Sequence, residues 1–123
     1  MIISPLKYYE DLISVFPELK DSLWDWDKDG VMTHYNMERF AEFTFEQIKS
    51  KNWMKLKECF NFQECRISYL EPELENALNV SYCESLLYSG TKVDMKNVSS
   101  YMGPLLKKVY QDYEKYLKIH FNF

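Results

Sequence analysis

Residues 25–30 read DWDKDG, which sets Asp25, Asp27 and Asp29 at alternate positions and closes on Gly30. Carboxylates in that rhythm open a calcium-binding EF-hand loop, whose ligands stand at positions 1, 3, 5, 7, 9 and 12 with glycine at 6. Counted from Asp25, the Val31 carbonyl falls at the seventh place and the Thr33 hydroxyl at the ninth. The twelfth is Asn36, and Glu38 comes two residues late. A glutamate there would supply two oxygens and a full charge, where asparagine has one neutral oxygen. There is no second loop to pair with this one. The expectation is therefore no tight metal site and no cofactor.

Without an ion, neighbouring carboxylates repel one another and must stay solvated. A tryptophan between them is then unusual, because Trp is a favoured interface anchor and aspartates suit an arginine- or lysine-bearing partner. Asp21, Asp25, Trp26, Asp27 and Asp29 are accordingly the candidate partner-binding residues. The plainer alternative is an exposed turn whose Trp26 folds back onto the core. Other chemistry is sparse. His34 and His120 lie far apart, and His120 falls on the apolar stripe of the last helix, as a packed core histidine would. Cys59, Cys65 and Cys83 lack the paired spacing of a zinc site. No phosphate-cradling glycine loop, nucleophile elbow or zinc-protease motif occurs. Catalysis is not expected.

The elements that would position these residues are helical. Ser4-Pro5 suits a helix start, and Leu6, Tyr9, Leu12, Ile13 and Phe16 follow at helical spacing. Pro17 ends that helix and opens a short one with Leu19, Leu23 and Trp24 inward. Thr33 suits the cap of the clearest helix, whose stripe is Met37, Phe40, Ala41, Thr44, Phe45 and Ile48. The break at 50–52 precedes a fourth helix with Trp53, Leu56, Phe60 and Ile67, reaching about Leu70. Pro72 opens a fifth with Leu74, Ala77, Leu78, Tyr82 and Leu86, capped by Gly90. A polar connector, with a turn of helix near Val98, leads to Gly103-Pro104 and a last helix whose inner face is Leu106, Val109, Tyr110, Tyr113, Leu117 and His120 or Phe121. With three Gly, four Pro and no period-2 strand, the 123 residues predict one all-α domain of about six helices. An irregular antiparallel bundle and a short HEAT- or armadillo-like stack of helix pairs both fit.

Charge narrows the partners. The net charge is −4, but residues 10–29 hold seven acids against two lysines, and 64–84 hold five against one arginine. Residues 49–57 hold four lysines and no acid. Acidic faces repel phosphate and favour a basic protein, so nucleic acid is not the expected partner. Tyr101, Tyr110, Tyr113 and Tyr116 lie among tail lysines, an arrangement that can stack bases, although Tyr110 and Tyr113 also fit the core stripe. No stretch approaches the roughly 20 apolar residues of a membrane span, and the acids soon after the first apolar run argue against a signal peptide. An odd number of unpaired cysteines fits a reducing cytoplasm.

Three segments, DGVMTHYNMERFAEFT, ELENALNVSYCESLL and YMGPLLKKVYQDYEKY, are spread over most of the chain. In these the protein resembles small bacterial helical domains, some HEAT- or armadillo-like, and is similar to immunity proteins encoded beside toxins, including those of contact-dependent inhibition. The resemblance implies a binding role without catalysis, the partner being a toxin domain. The expected function is neutralisation of a basic nuclease toxin by covering its active site or an essential surface. The alternatives are a regulatory or scaffolding interaction domain and, more remotely, a calcium-responsive module. Calorimetry should detect no tight calcium binding; a micromolar affinity lost in Asp25→Ala would restore the metal reading.

Overall fold

Ser4 starts α1 (Pro5–Val15) as expected: its Oγ accepts the Lys7 N–H at 3.2 Å, and Pro5 occupies the first turn. The computed structural model describes residues 2–28, 32–89 and 95–121. After a 3-10 turn (Pro17–Ser22) come α2 (Thr33–Lys49), α3 (Trp53–Arg66), α4 (72–89), α5 (Met95–Val98) and α6 (Pro104–Phe121). The protein is all-α, with six helices among the described residues. Among the described residues the one isolated bridge joins Ile3 to Leu70. Gly90, read as a helix cap, lies outside the described residues.

Helix α2 is central, touching the 3-10 turn, α3 and α4, while α6 packs across α3 and α4. One core results, and Tyr8, Tyr9, Phe16, Phe40, Phe60 and Tyr82 are its largest fully buried side chains. Buried phenol hydroxyls usually find a partner, and those of Tyr8, Tyr9 and Tyr82 do, whereas Tyr110 Oη is buried with none among the described residues. Tyr8 donates to Gln63 Oε1 at 2.7 Å, tying α1 to α3. Tyr9 donates to the Thr33 carbonyl at 2.6 Å, tying α1 to the start of α2. Thr44 Oγ1 donates to the Phe40 carbonyl at 2.9 Å and lies 2.8 Å from Tyr82 Oη. With one proton per hydroxyl, Tyr82 must be the donor in that pair, which ties α4 to α2.

Helix α4 is not uniform: Leu78–Cys83 is π-helical. Its inner residues Leu78, Tyr82 and Leu86 are four apart, a spacing that drifts around an ordinary helix of 3.6 residues per turn. The wider turn, closed by i to i+5 bonds, holds them in line and buries Ser81, Tyr82 and Cys83 together.

The start of α6 uses a distant carboxylate. Gly103 has no side chain to cap the first N–H groups, and Glu64 of α3 does so instead. Its Oε2 accepts from Leu105 at 3.0 Å and its Oε1 from Leu106 at 2.8 Å. A Cβ on residue 103 would meet the Glu64 carboxyl group and push it from its capping position. At the end of α2, Lys51 has φ 58°, and the N–H groups of Lys51 and Asn52 return to the Ile48 and Gln47 carbonyls. This is a Schellman ending with lysine at the left-handed position that glycine usually takes.

Four expectations are corrected. Met32 (φ 59°), not Thr33, holds the cap position of α2, and Thr33 is its first residue, with Oγ1 buried and without a partner among the described residues. Trp24 is exposed: the chain is extended at Leu23 (φ −91°, ψ 148°), so consecutive side chains point to opposite sides. His120 and Phe121 are exposed, because the last turn of α6 runs beyond the core that Leu117 closes. Tyr8 is fully buried beside Tyr9, which the spacing of the α1 stripe did not indicate.

Glu64→Ala and Gly103→Ala should each lower unfolding stability by about 1–2 kcal/mol, the range of a lost helix cap. Because both act through one contact, their effects should fall short of adding in a double-mutant cycle by urea denaturation.

Candidate functional site

The acidic stretch has a defined frame. Asn36, 0% exposed, accepts the Trp24 N–H through Oδ1 at 2.8 Å and donates Nδ2–H to the Trp24 carbonyl at 2.9 Å. Both backbone polar groups of Trp24 are thus held by one buried side chain on α2. Asn36 would have stood at the weak twelfth position of a calcium loop; its amide instead reads the main chain. The Trp24 ring is left 59% exposed. Trp26 is half-buried and packs against the core, as the plainer sequence alternative had it. Asp25 adopts φ 44°, a turn conformation that Asp tolerates better than most residues.

The acids of this stretch divide into two groups. Asp11 meets Lys7 at 2.9 Å and Arg66 at 3.8 Å, Glu10 meets Lys7 at 3.9 Å, and Glu18 meets Lys55 at 3.4 Å. Asp25 lies 4.0 Å from Lys28. Among the described residues no ion pair involves Asp21 or Asp27, and both are exposed. Asp29 lies outside the described residues. Of the predicted residues, the structure places Asp21, Asp25 and Asp27 in the stretch that carries Trp24, and turns Trp26 inward. Trp24 is the residue that sequence reasoning missed. Its signal was position: it follows a buried leucine at the end of a helical turn, where alternation replaces the helical period.

The second acidic run is largely occupied in structural tasks. Glu64 caps α6, Glu73 and Glu75 lie in the first turn of α4 where the helix dipole favours them, and Glu84 Oε2 accepts the Tyr113 hydroxyl at 2.6 Å. Among the described residues no group of three or more His, Cys, Asp or Glu is placed to hold a metal ion. Among those residues, too, no helix is long and apolar enough to cross a membrane.

The reactive side chains are also accounted for. His34 Nδ1 lies 2.8 Å from Ser81 Oγ, joining the start of α2 to the π-helical turn. Burial pushes the Cys59 and Cys83 thiols up to about 12, so both stay protonated at neutral pH. Cys65 is exposed. An all-α domain with an acidic, tryptophan-bearing corner is what fold and site define. The chain belongs to a family described as a domain of unknown function, DUF7674, whose model matches residues 9–118. No curated protein and no solved structure matches it.

At about pH 8, N-ethylmaleimide should modify Cys65 alone in the folded protein and all three cysteines after denaturation, read by mass spectrometry. Buried Cys59, Cys83, Tyr8, Tyr9 and Tyr82 are all raised, so the folded state resists their ionisation. Their stabilising contribution is full below the unfolded thiol value of 9.0 and is lost as pH rises above it. The urea midpoint should therefore fall between about pH 9 and 11, and less steeply in Cys83→Ala.

Proposed function

We propose that this protein is a non-enzymatic binding domain that docks a basic protein surface on the corner around Trp24. The observation that carries the reading is the pinned, outward Trp24 ring in the same short stretch as Asp21 and Asp27, two exposed acids with no ion pair among the described residues. A tryptophan whose main chain is already fixed loses little freedom on binding, and aromatic anchors of this kind dominate interface energies. Surrounding carboxylates steer a cationic partner and speed its approach. The partner that fits the resemblance is a basic nuclease toxin, with this protein acting as its immunity protein in the cytoplasm. Free cysteines, one of them exposed, suit that reducing compartment. Blocking a toxin requires only a stable interface, commonly about 1,600 Å² in total.

The test is titration calorimetry and stopped-flow association with the purified product of the adjacent upstream gene. Trp24→Ala should weaken binding by at least about tenfold, the usual scale of a buried aromatic anchor. Asp21→Lys with Asp27→Lys should slow association and flatten its salt dependence. Binding that all three substitutions together leave unchanged would exclude this surface.

A further inference from the structure

A groove of about 640 Å³ runs between α4 and α6, on residues that the acidic corner does not use. The size is typical of ligand sites. Its composition is uneven. Tyr88, Tyr113, Tyr116 and Phe121 supply aromatic faces, Glu84 and Asp112 supply two carboxylates, and no lysine, arginine or histidine lines it among the described residues. Tyr116 and Phe121 are 44% and 62% exposed, although the core of the protein is rich in buried aromatics. Their rings gather: Tyr116 stacks on Tyr113 at 5.6 Å between centroids and meets Phe121 at 6.1 Å. His120 lies against Tyr116 at 4.5 Å.

The carboxylates retain capacity. Tyr113 binds one oxygen of Glu84, and a carboxylate can accept about four hydrogen bonds. Asp112 meets Lys108 at 2.8 Å, a pair with both side chains mostly exposed, so Lys108 is easily displaced by a better-placed cation. Val80 and Val109 add apolar lining.

We propose that this groove binds an arginine side chain presented by a partner polypeptide. Aromatic faces attract cations, and a planar guanidinium stacks on a ring while its N–H fork engages a carboxylate. The aliphatic stem would lie along the valines. Arginine is favoured over a free small cation because the groove is open and rimmed by exposed rings, which admits a side chain from a segment lying across it. The inference rests on the reading that the partner is a basic protein, and it assigns that partner a second contact away from Trp24.

The test uses a fluorescein-labelled hexapeptide carrying two arginines in a glycine background, and its counterpart with citrulline, which keeps the shape and removes the charge. Anisotropy should show binding of the arginine peptide and at least about tenfold weaker binding of the citrulline peptide. Glu84→Gln with Asp112→Asn should weaken the arginine peptide by a similar factor, because the amide oxygen introduced at position 84 still accepts from Tyr113 while the charge is gone. Tyr116→Ala should weaken it several-fold, and Trp24→Ala should leave it unchanged, with circular dichroism confirming retained helix in each. Equal affinity for citrulline, no effect of the charge variants, or no binding at millimolar peptide would overturn the groove assignment. Loss of peptide binding in Trp24→Ala but not in the groove variants would overturn it too, while favouring the acidic corner.

Discussion

Buried phenol hydroxyls govern how these helices sit together. Tyr8, Tyr9 and Tyr82 are almost wholly removed from solvent, and a hydroxyl left unpaired there costs about 1–3 kcal/mol. Each finds its partner on a different helix from its own: Gln63 on α3, the Thr33 carbonyl on α2, and Thr44 on α2. Apolar packing alone tolerates sliding; a hydrogen bond at 2.6–2.8 Å does not. These three bonds fix α1 against α2 and α3, and α4 against α2. The sulfur of Met37 lies 3.5 Å from the Tyr8 hydroxyl and 3.6 Å from Gln63 Nε2, so α2 joins the same junction.

That constraint extends to the surface. Tyr9 holds the first residue of α2, and one turn further along Asn36 holds the backbone of Trp24. The exposed ring is therefore anchored through two links to the core, although it lies in an irregular segment. Glu64 does comparable work toward the other end of the chain, bringing the start of α6 against α3. Correct placement of α6 is what forms the groove with α4, since Asp112, Tyr113 and Tyr116 approach Glu84 only when α6 is seated.

Acidic residues in this protein thus serve unlike purposes. Some neutralise basic neighbours, one caps a helix across 41 residues of sequence, one orders a tyrosine, and Asp21 and Asp27 are exposed with no ion pair among the described residues. Asp21 and Asp27 are among the acids left without a structural task of this kind. Net charge over a window cannot separate these cases, because a carboxylate counts the same whether it binds water, a lysine or a helix terminus.

The local sequence pattern accounts for the helices. Apolar periodicity located all the long ones, proline marked three starts at Pro5, Pro72 and Pro104, and the stripe of α4 from Leu74 to Leu86 is buried as read. Those signals are local, arising from neighbours within a turn or two. It also placed the acids of the 21–27 stretch together. Tertiary structure alone decided which tryptophan faces solvent, because that depends on an extended residue at Leu23 and on Asn36 from another element. It alone decided that Glu64 is a cap and Gly103 a clearance, since the two meet only after folding. The groove is of the same kind: its carboxylates and rings come from helices whose mutual position no single-helix pattern encodes.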